Sequence, residues 1–365
     1  MSLPDWSSFD YLINPTEKFW VDVQPFLLAQ GYRLRPRYDP QWKPSWLQVQ
    51  VKAGERRPHP TKYEDCMASV EFLTLLDSHS GIIVDAIRVK DGQKVVFKRV
   101  KASSDELTIA VSLSSGTNRQ DPRNCAVPIL DVIMLPSDDA EALLVMPQLM
   151  RFHVLPYRFL GEFCEFTLQI LEGLEFLHEK NVAHRDLFWE NLMMDATKVV
   201  PKGHHFCKWQ THDGVSKDYQ WNTRWSVRPV SYYIIDFGLS SQFASKDALV
   251  LGTLGQDKSV PELSNEVMYN PFMVDVYQFG SVIKRCVYDY EGLDAFRELA
   301  ELMTMKNPTG RPTAAESLAL CKALVGKIKN SGNLDSRVWR LDSRFHVGLM
   351  AVERIAVKCG WNPIK

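Results

Sequence analysis

Apolar and polar residues along this chain change period partway through. Between residues 69 and 100 the apolar positions alternate or cluster in short β-branched bursts: VEFLTLL, then GIIVDAIRV, then KVVFKRV, with Asp91 and Gly92 as a DG turn between the last two. Such bursts around a two-residue turn predict a three-stranded meander. Residues 103–113 read as a short helix opened by a capping box of Ser103 and Glu106, and VPILDVIML and EALLVMPQL add two strands. The spacing then shifts to that of a helix. Phe163, Phe166, Ile170, Leu171, Leu174 and Leu177 fall on one face, and a mostly helical half runs to about residue 325. The pattern predicts an α+β chain of two lobes, a small β-rich one followed by a larger helical one.

The flanks read differently. Residues 1–68 hold one amphipathic helix, 15–30, and then GYRLRPRYDPQWKPSW, whose prolines oppose regular structure and whose aromatics need cover. We expect an N-terminal extension packed on the larger body. Residues 326–365 form a tail, first basic (Lys327, Lys329, Arg337, Arg340, Arg344) and then amphipathic over 347–357, as a docking helix would be.

Composition narrows the function classes. With 45% apolar and 24% charged residues the 365-residue chain is globular, and a formal charge of −1 gives no bulk attraction to nucleic acid or an acidic membrane face. Neither is expected as a partner. No apolar run approaches the length of a membrane span, and the N-terminal residues lack the basic and apolar regions of a secretory signal. The seven cysteines are scattered without paired spacing, which fits a reducing compartment, cytoplasmic or nuclear.

Two strings carry chemistry. HRDLFWEN supplies Asp186 and, five residues on, Asn191, between a helix ending LHEKNVA and the strand-like NLMM. YYIIDFG is a β-branched and aromatic strand delivering Asp236. Phosphoryl transfer needs metal held against the phosphates, charge neutralised on them and an acceptor hydroxyl oriented in line, and two acids and an amide at the ends of strands and loops suit that need.

On these strings the chain resembles the eukaryotic protein kinases over residues 69–325, with a small lobe at 69–150 and a large lobe at 151–325. The resemblance implies a two-lobed protein-kinase-like fold that binds ATP and Mg²⁺ and acts on a protein substrate or binds a protein partner. Asp186 would take the acceptor proton, and Asn191 and Asp236 would hold metal. Lys98 in VVFK would hold the α and β phosphates and pair with Glu106. Arg185 would receive an activating phosphate, for which Ser240, Ser241, Ser245, Thr253 and Ser259 are candidates. Adenine would sit between Ile83, Ala86 and Met193, with Met146 as gatekeeper and Leu149 at the hinge. Glu262 of VPE and Arg311 would form the family's buried pair, and Asp275 would brace the catalytic loop.

Four departures qualify the resemblance. Of the three glycine positions over the phosphates only Gly81 is glycine; Leu76 and Ser78 occupy the others. Phe188 stands where a Ser/Thr kinase has a lysine, and loss of one such donor costs on the order of 10²- to 10³-fold in rate. Glu106 follows Lys98 by only eight residues, and 45 positions separate Asn191 from Asp236, which implies an insertion at about 196–230. That insertion contains His204, His205, Cys207 and His212, at spacings that match no common zinc module. The expected activity is a slow or regulated Ser/Thr protein kinase; the alternative is a pseudokinase scaffold that binds ATP or a partner without transfer.

Overall fold

A computed structural model describes residues 12–50, 52, 58–67, 82–136 and 138–341. VEFLTLL, the lid positions Leu76, Ser78 and Gly81, and the amphipathic stretch 347–357 lie outside the described residues.

The small lobe is built on β2 (Ile83–Arg88) and β3 (Lys94–Lys101), joined by a turn in which Gly92 takes a φ of +73° and Arg88 closes onto Asp91 at 2.7 Å. β4 (Asp131–Leu135) and β5 (Asp138–Pro147) complete one side, giving the antiparallel order β1-β2-β3-β5-β4. The edge strand β1, Tyr32–Leu34, comes from the first 68 residues and pairs with β2, Leu34 opposite Ala86. The extension is thus part of the sheet.

Alternation along the strands divides the sheet into two faces. Val84, Ala86, Val95, Phe97, Leu143 and Val145 share one face with Trp20 and Leu27 of helix α1 (Lys18–Ala29) and with Tyr32, Leu34 and Tyr38. The aromatics that needed cover therefore supply it to the sheet, each large side chain contributing about 1.5–3 kcal/mol by burial. A buried ion pair, Arg37 to Glu17 at 2.8 Å, fastens this layer. On the other face Val100, Ala142 and Leu144 pack beneath α2 (Asp105–Leu113) through Leu107 and Ala110. The cap of α2 is Ser104, whose hydroxyl accepts from the Leu107 N–H at 3.3 Å, rather than Ser103. With the helix starting one residue later, Glu106 is released from capping and faces the cleft.

The large lobe surrounds α3 (Leu160–Glu179), whose Phe163, Phe166, Ile170, Leu171 and Leu174 are fully buried. Around it stand α4 (Pro271–Asp289), α5 (Arg297–Met303) and α6 (Ala314–Asn330), the last opened by a capping box of Thr313 and Glu316. A small sheet of β6 (Met150–Arg151), β8 (Leu192–Met194) and β9 (Tyr232–Ile234) lies at the cleft, with β7 (Val182–Ala183) just before HRDLFWEN.

The insertion is anchored rather than loose. Arg224 is buried and donates to the carbonyls of Phe152 at 2.5 Å, Leu155 at 2.9 Å and Pro156 at 3.2 Å, while stacking on Tyr157. Trp209, Tyr219 and Trp221 lie against the large-lobe core. Arg224→Met keeps the length but removes the donors to three buried carbonyls, so unfolding in urea should show a loss of about 3 kcal/mol.

The same insertion reaches the hinge. The His204 carbonyl accepts from Lys94 Nζ at 2.7 Å and Gln148 Nε2 at 3.1 Å, and its ring is hydrogen-bonded to the Leu149 backbone. His205 Nε2 meets Glu64 at 3.0 Å, and Glu64 accepts from Arg35, which also bonds Asp85 of β2 at 2.9 Å. Extension and sheet are joined there by ion pairs, and the insertion by the hydrogen bond of His205 to Glu64. His212 bonds instead to the Gly203 carbonyl and the Gln220 N–H, and among the described residues no three His, Cys, Asp or Glu side chains form a metal-holding group.

Burial, and next Lys94, pushes the His204 imidazole down to about 4 from 6.5. A folded-state value below the unfolded one means stability present above pH 6.5 that drains away as pH falls towards 4. Over that window this one site amounts to about 3 kcal/mol at most. The thermal midpoint of the native chain should therefore fall more steeply between pH 7 and pH 4.5 than that of His204→Asn.

Candidate active site

The HRDLFWEN loop is held from below by α4. Asp275, fully buried, accepts from the His184 N–H at 2.8 Å, the Arg185 N–H at 2.6 Å and His178 Nε2 at 3.0 Å. Its contacts hold Arg185 at a φ of +66°, a left-handed conformation that side chains other than glycine adopt at a cost. One turn on, the buried amide of Gln278 accepts from Leu187 N–H at 2.8 Å and donates to the Arg185 carbonyl at 3.3 Å. His184 turns inward, Nε2 on the Ile235 carbonyl at 3.0 Å and its ring edge-on to Phe237.

Asp186 emerges from this support into the cleft. Asn191 Nδ2 donates to its Oδ2 and to its carbonyl, both at 2.9 Å. That fixes the amide and leaves the Asn191 oxygen as the free donor atom for a cation.

Across the cleft Lys98, nearly buried, sits between Glu106 Oε1 at 2.5 Å and Asp236 Oδ1 at 2.7 Å. The short connection from β3 into α2 does bring Glu106 to the lysine. Burial opposes charge on both Lys98 and Asp236, but Asp236 and Glu106 more than offset it for Lys98, and Lys98 does so for Asp236, so the amine is pushed up and the carboxyl down. The pair is charged. Asp236 itself takes a φ of +64° and accepts the Gly238 N–H at 3.2 Å. A Cβ at Gly238 would stand 3.0 Å from Asp236 Oδ1 and 3.4 Å from Glu106 Oε2, so the chain passes close there because that residue is glycine. Asn191 and Asp236 together offer the hard oxygen donors that suit Mg²⁺.

The residues expected around a nucleotide do not all face the cleft. Ile83 lies opposite Lys98, and Met146 lies opposite Val96, on the cleft face. Met193 is half-buried between the fully buried Leu192 and Met194, as a residue turned out of β8 must be. Leu149 lies at the hinge just before β6. Ala86 is a correction: it pairs with Val95 on the outer face, against the extension, and cannot touch a ligand in the cleft. Val96 and Asp85, opposite one another, hold the cleft side at that level, with Asp85 bonded to Arg35 at 2.9 Å. Gly81 lies outside the described residues.

The departures in HRDLFWEN have structural uses. Trp189 is buried against Phe152 and His153 and carries Arg285 on its face at 4.1 Å. Glu190 pairs with Arg151 at 2.9 Å, and Phe188 packs on the large-lobe core. Among the candidate hydroxyls, Ser241 lies 3.3 Å from Arg185 Nη1, whereas Ser240 is buried and donates to the His184 carbonyl, closed to modification. Thr253, Ser245 and Ser259 are exposed.

At the end of the segment Arg311 grips Glu262 with both terminal nitrogens, one at 2.8 Å. Nothing in the sequence marks Gln256 or Gln278. Both touch the catalytic loop through contacts spanning 70 positions or more, which no local pattern announces.

A comparison with curated proteins finds no match. The sequence model of the protein kinase domain matches residues 78–304, more than half of the chain and all of the residues placed around this cleft. The chain belongs to the protein kinase domain family.

Proposed function

We propose that this chain is an ATP-dependent protein kinase that transfers the γ-phosphate to a Ser/Thr hydroxyl of a protein substrate, at a modest rate. The observation that carries the reading is the simultaneous pairing of Lys98 with Glu106 and Asp236 across the cleft from a braced Asp186. Mg²⁺, held by Asn191 and Asp236, would neutralise phosphate charge. In the transfer, the acceptor oxygen bonds to the γ-phosphorus as the bond to the leaving ADP oxygen breaks, and the hydroxyl proton passes to Asp186. Lys98 holds the phosphates in line. The neutral Phe188 beside this site supports slow transfer. Scattered cysteines, those described all free and five of those six buried, support a cytoplasmic or nuclear location.

A second reading, a scaffold that binds ATP without transfer, is favoured by that same Phe188. Incubating the purified chain with Mg²⁺ and labelled ATP, beside Asp186→Ala and Asp236→Ala, separates the two. Label incorporated by the native chain alone supports the enzyme; equal label in all three overturns it, and ATP-dependent thermal stabilisation without label supports the scaffold.

A further inference from the structure

Asp186 has a partner that nothing in HRDLFWEN supplies. The backbone N–H of Gln256 donates to Oδ1 at 2.7 Å, and its side-chain Nε2 donates to Oδ2 at 3.1 Å. With Asn191 on Oδ2 at 2.9 Å, three of the roughly four acceptor positions of the carboxylate are filled, and the one left lies on Oδ1. The approach is written into the residue before it. Gly255 has a φ of +98°, and a Cβ there would stand 3.0 Å from the Arg185 carbonyl and 3.4 Å from Asp186 Oδ1. Only a glycine lets the segment lie this close to the catalytic loop.

We propose that Gln256 is a positioning residue for phosphate transfer: it fixes the Asp186 carboxylate so that one Oδ1 lone pair faces the acceptor hydroxyl, and it puts a carboxamide donor beside the reacting centre that Phe188 leaves without a cation. This rests on the reading of Asp186 as the proton acceptor. Because Gln256 is exposed, replacing it removes the side-chain bond to Oδ2 without opening the core, and leaves the backbone N–H on Oδ1. The amide is neutral, so it orients the carboxylate but lends little charge to the phosphate, in keeping with slow transfer.

The test uses the full chain with Gln256→Met, which keeps length and loses the donor, and Gln256→Lys, which keeps a donor and adds charge. Single-turnover transfer should fall about 10- to 100-fold in the methionine variant and return to the native rate or above in the lysine variant. ATP affinity and thermal midpoint should stay at native values in both. A purely structural role would lower both variants alike and move the midpoint.

The contact is read separately by selective ¹⁵N-glutamine labelling. The Gln256 carboxamide signal, identified by its loss in Gln256→Met, should shift in Asp186→Asn, and a signal that stays put overturns the contact. Native chain that transfers phosphate while both variants match it overturns the role of Gln256 alone. Native chain that transfers none overturns the kinase reading and the role with it.

Discussion

Lys98→Met is expected to lower phosphate transfer by about 10²- to 10³-fold and to weaken ATP binding, while leaving the chain folded. The lysine is nearly buried between two carboxylates, so methionine fills its volume but leaves Glu106 and Asp236 facing one another without the cation that separates them. Like charges at that range repel, and the exposed side of the cleft lets them part, carrying α2 and the Asp236 turn away from the phosphate position. Glu106→Gln should cost less, because Asp236 still holds the amine at 2.7 Å. Single-turnover transfer and calorimetric ATP titration measure the two effects independently. Native transfer in Lys98→Met would remove the lysine from the mechanism.

What the sequence showed and what it hid follow a physical line. That Asp186 and Asn191 lie together, with Asp236 at the end of a strand, was legible because they stand in short strings bounded by a helix and strands. Lys98 and Glu106 were legible through register. Ala86 was misplaced for the converse reason: on a strand, one residue exchanges faces, and the pairing of Ile83 with Lys98 sends Ala86 outward. Tyr32–Leu34 gave no strand signal, since three residues before a proline stretch become a strand only when β2 offers an edge. The hinge contact of the insertion runs largely through the His204 carbonyl, which any residue possesses, so its sequence carries no mark of it. The contact of Gln256 with Asp186 was hidden because it is closed by the fold and the neighbouring Gly255, not by any spacing within HRDLFWEN.

The second large effect is expected at Asp275, which touches no substrate. Its fully buried carboxylate satisfies two backbone N–H groups and the His178 ring, and it holds Arg185 in a left-handed conformation that costs about 1–3 kcal/mol. Asp275→Ala leaves those donors buried and unpaired. Each unmatched group costs about 1–3 kcal/mol, so stability should fall by about 3–5 kcal/mol in total. Asp275→Asn is the sharper test, because it keeps the shape and one acceptor oxygen while turning a donor towards a second N–H. It should lose less stability than alanine, yet release Arg185 to relax. Because Asp186 is the next residue, transfer measured well below the melting temperature should drop by more than the unfolded fraction explains. The urea midpoint and the transfer rate of the same preparation decide it: an asparagine variant with native values of both would show that the brace is dispensable, and a loss of rate at full folding would show that α4 sets the catalytic loop.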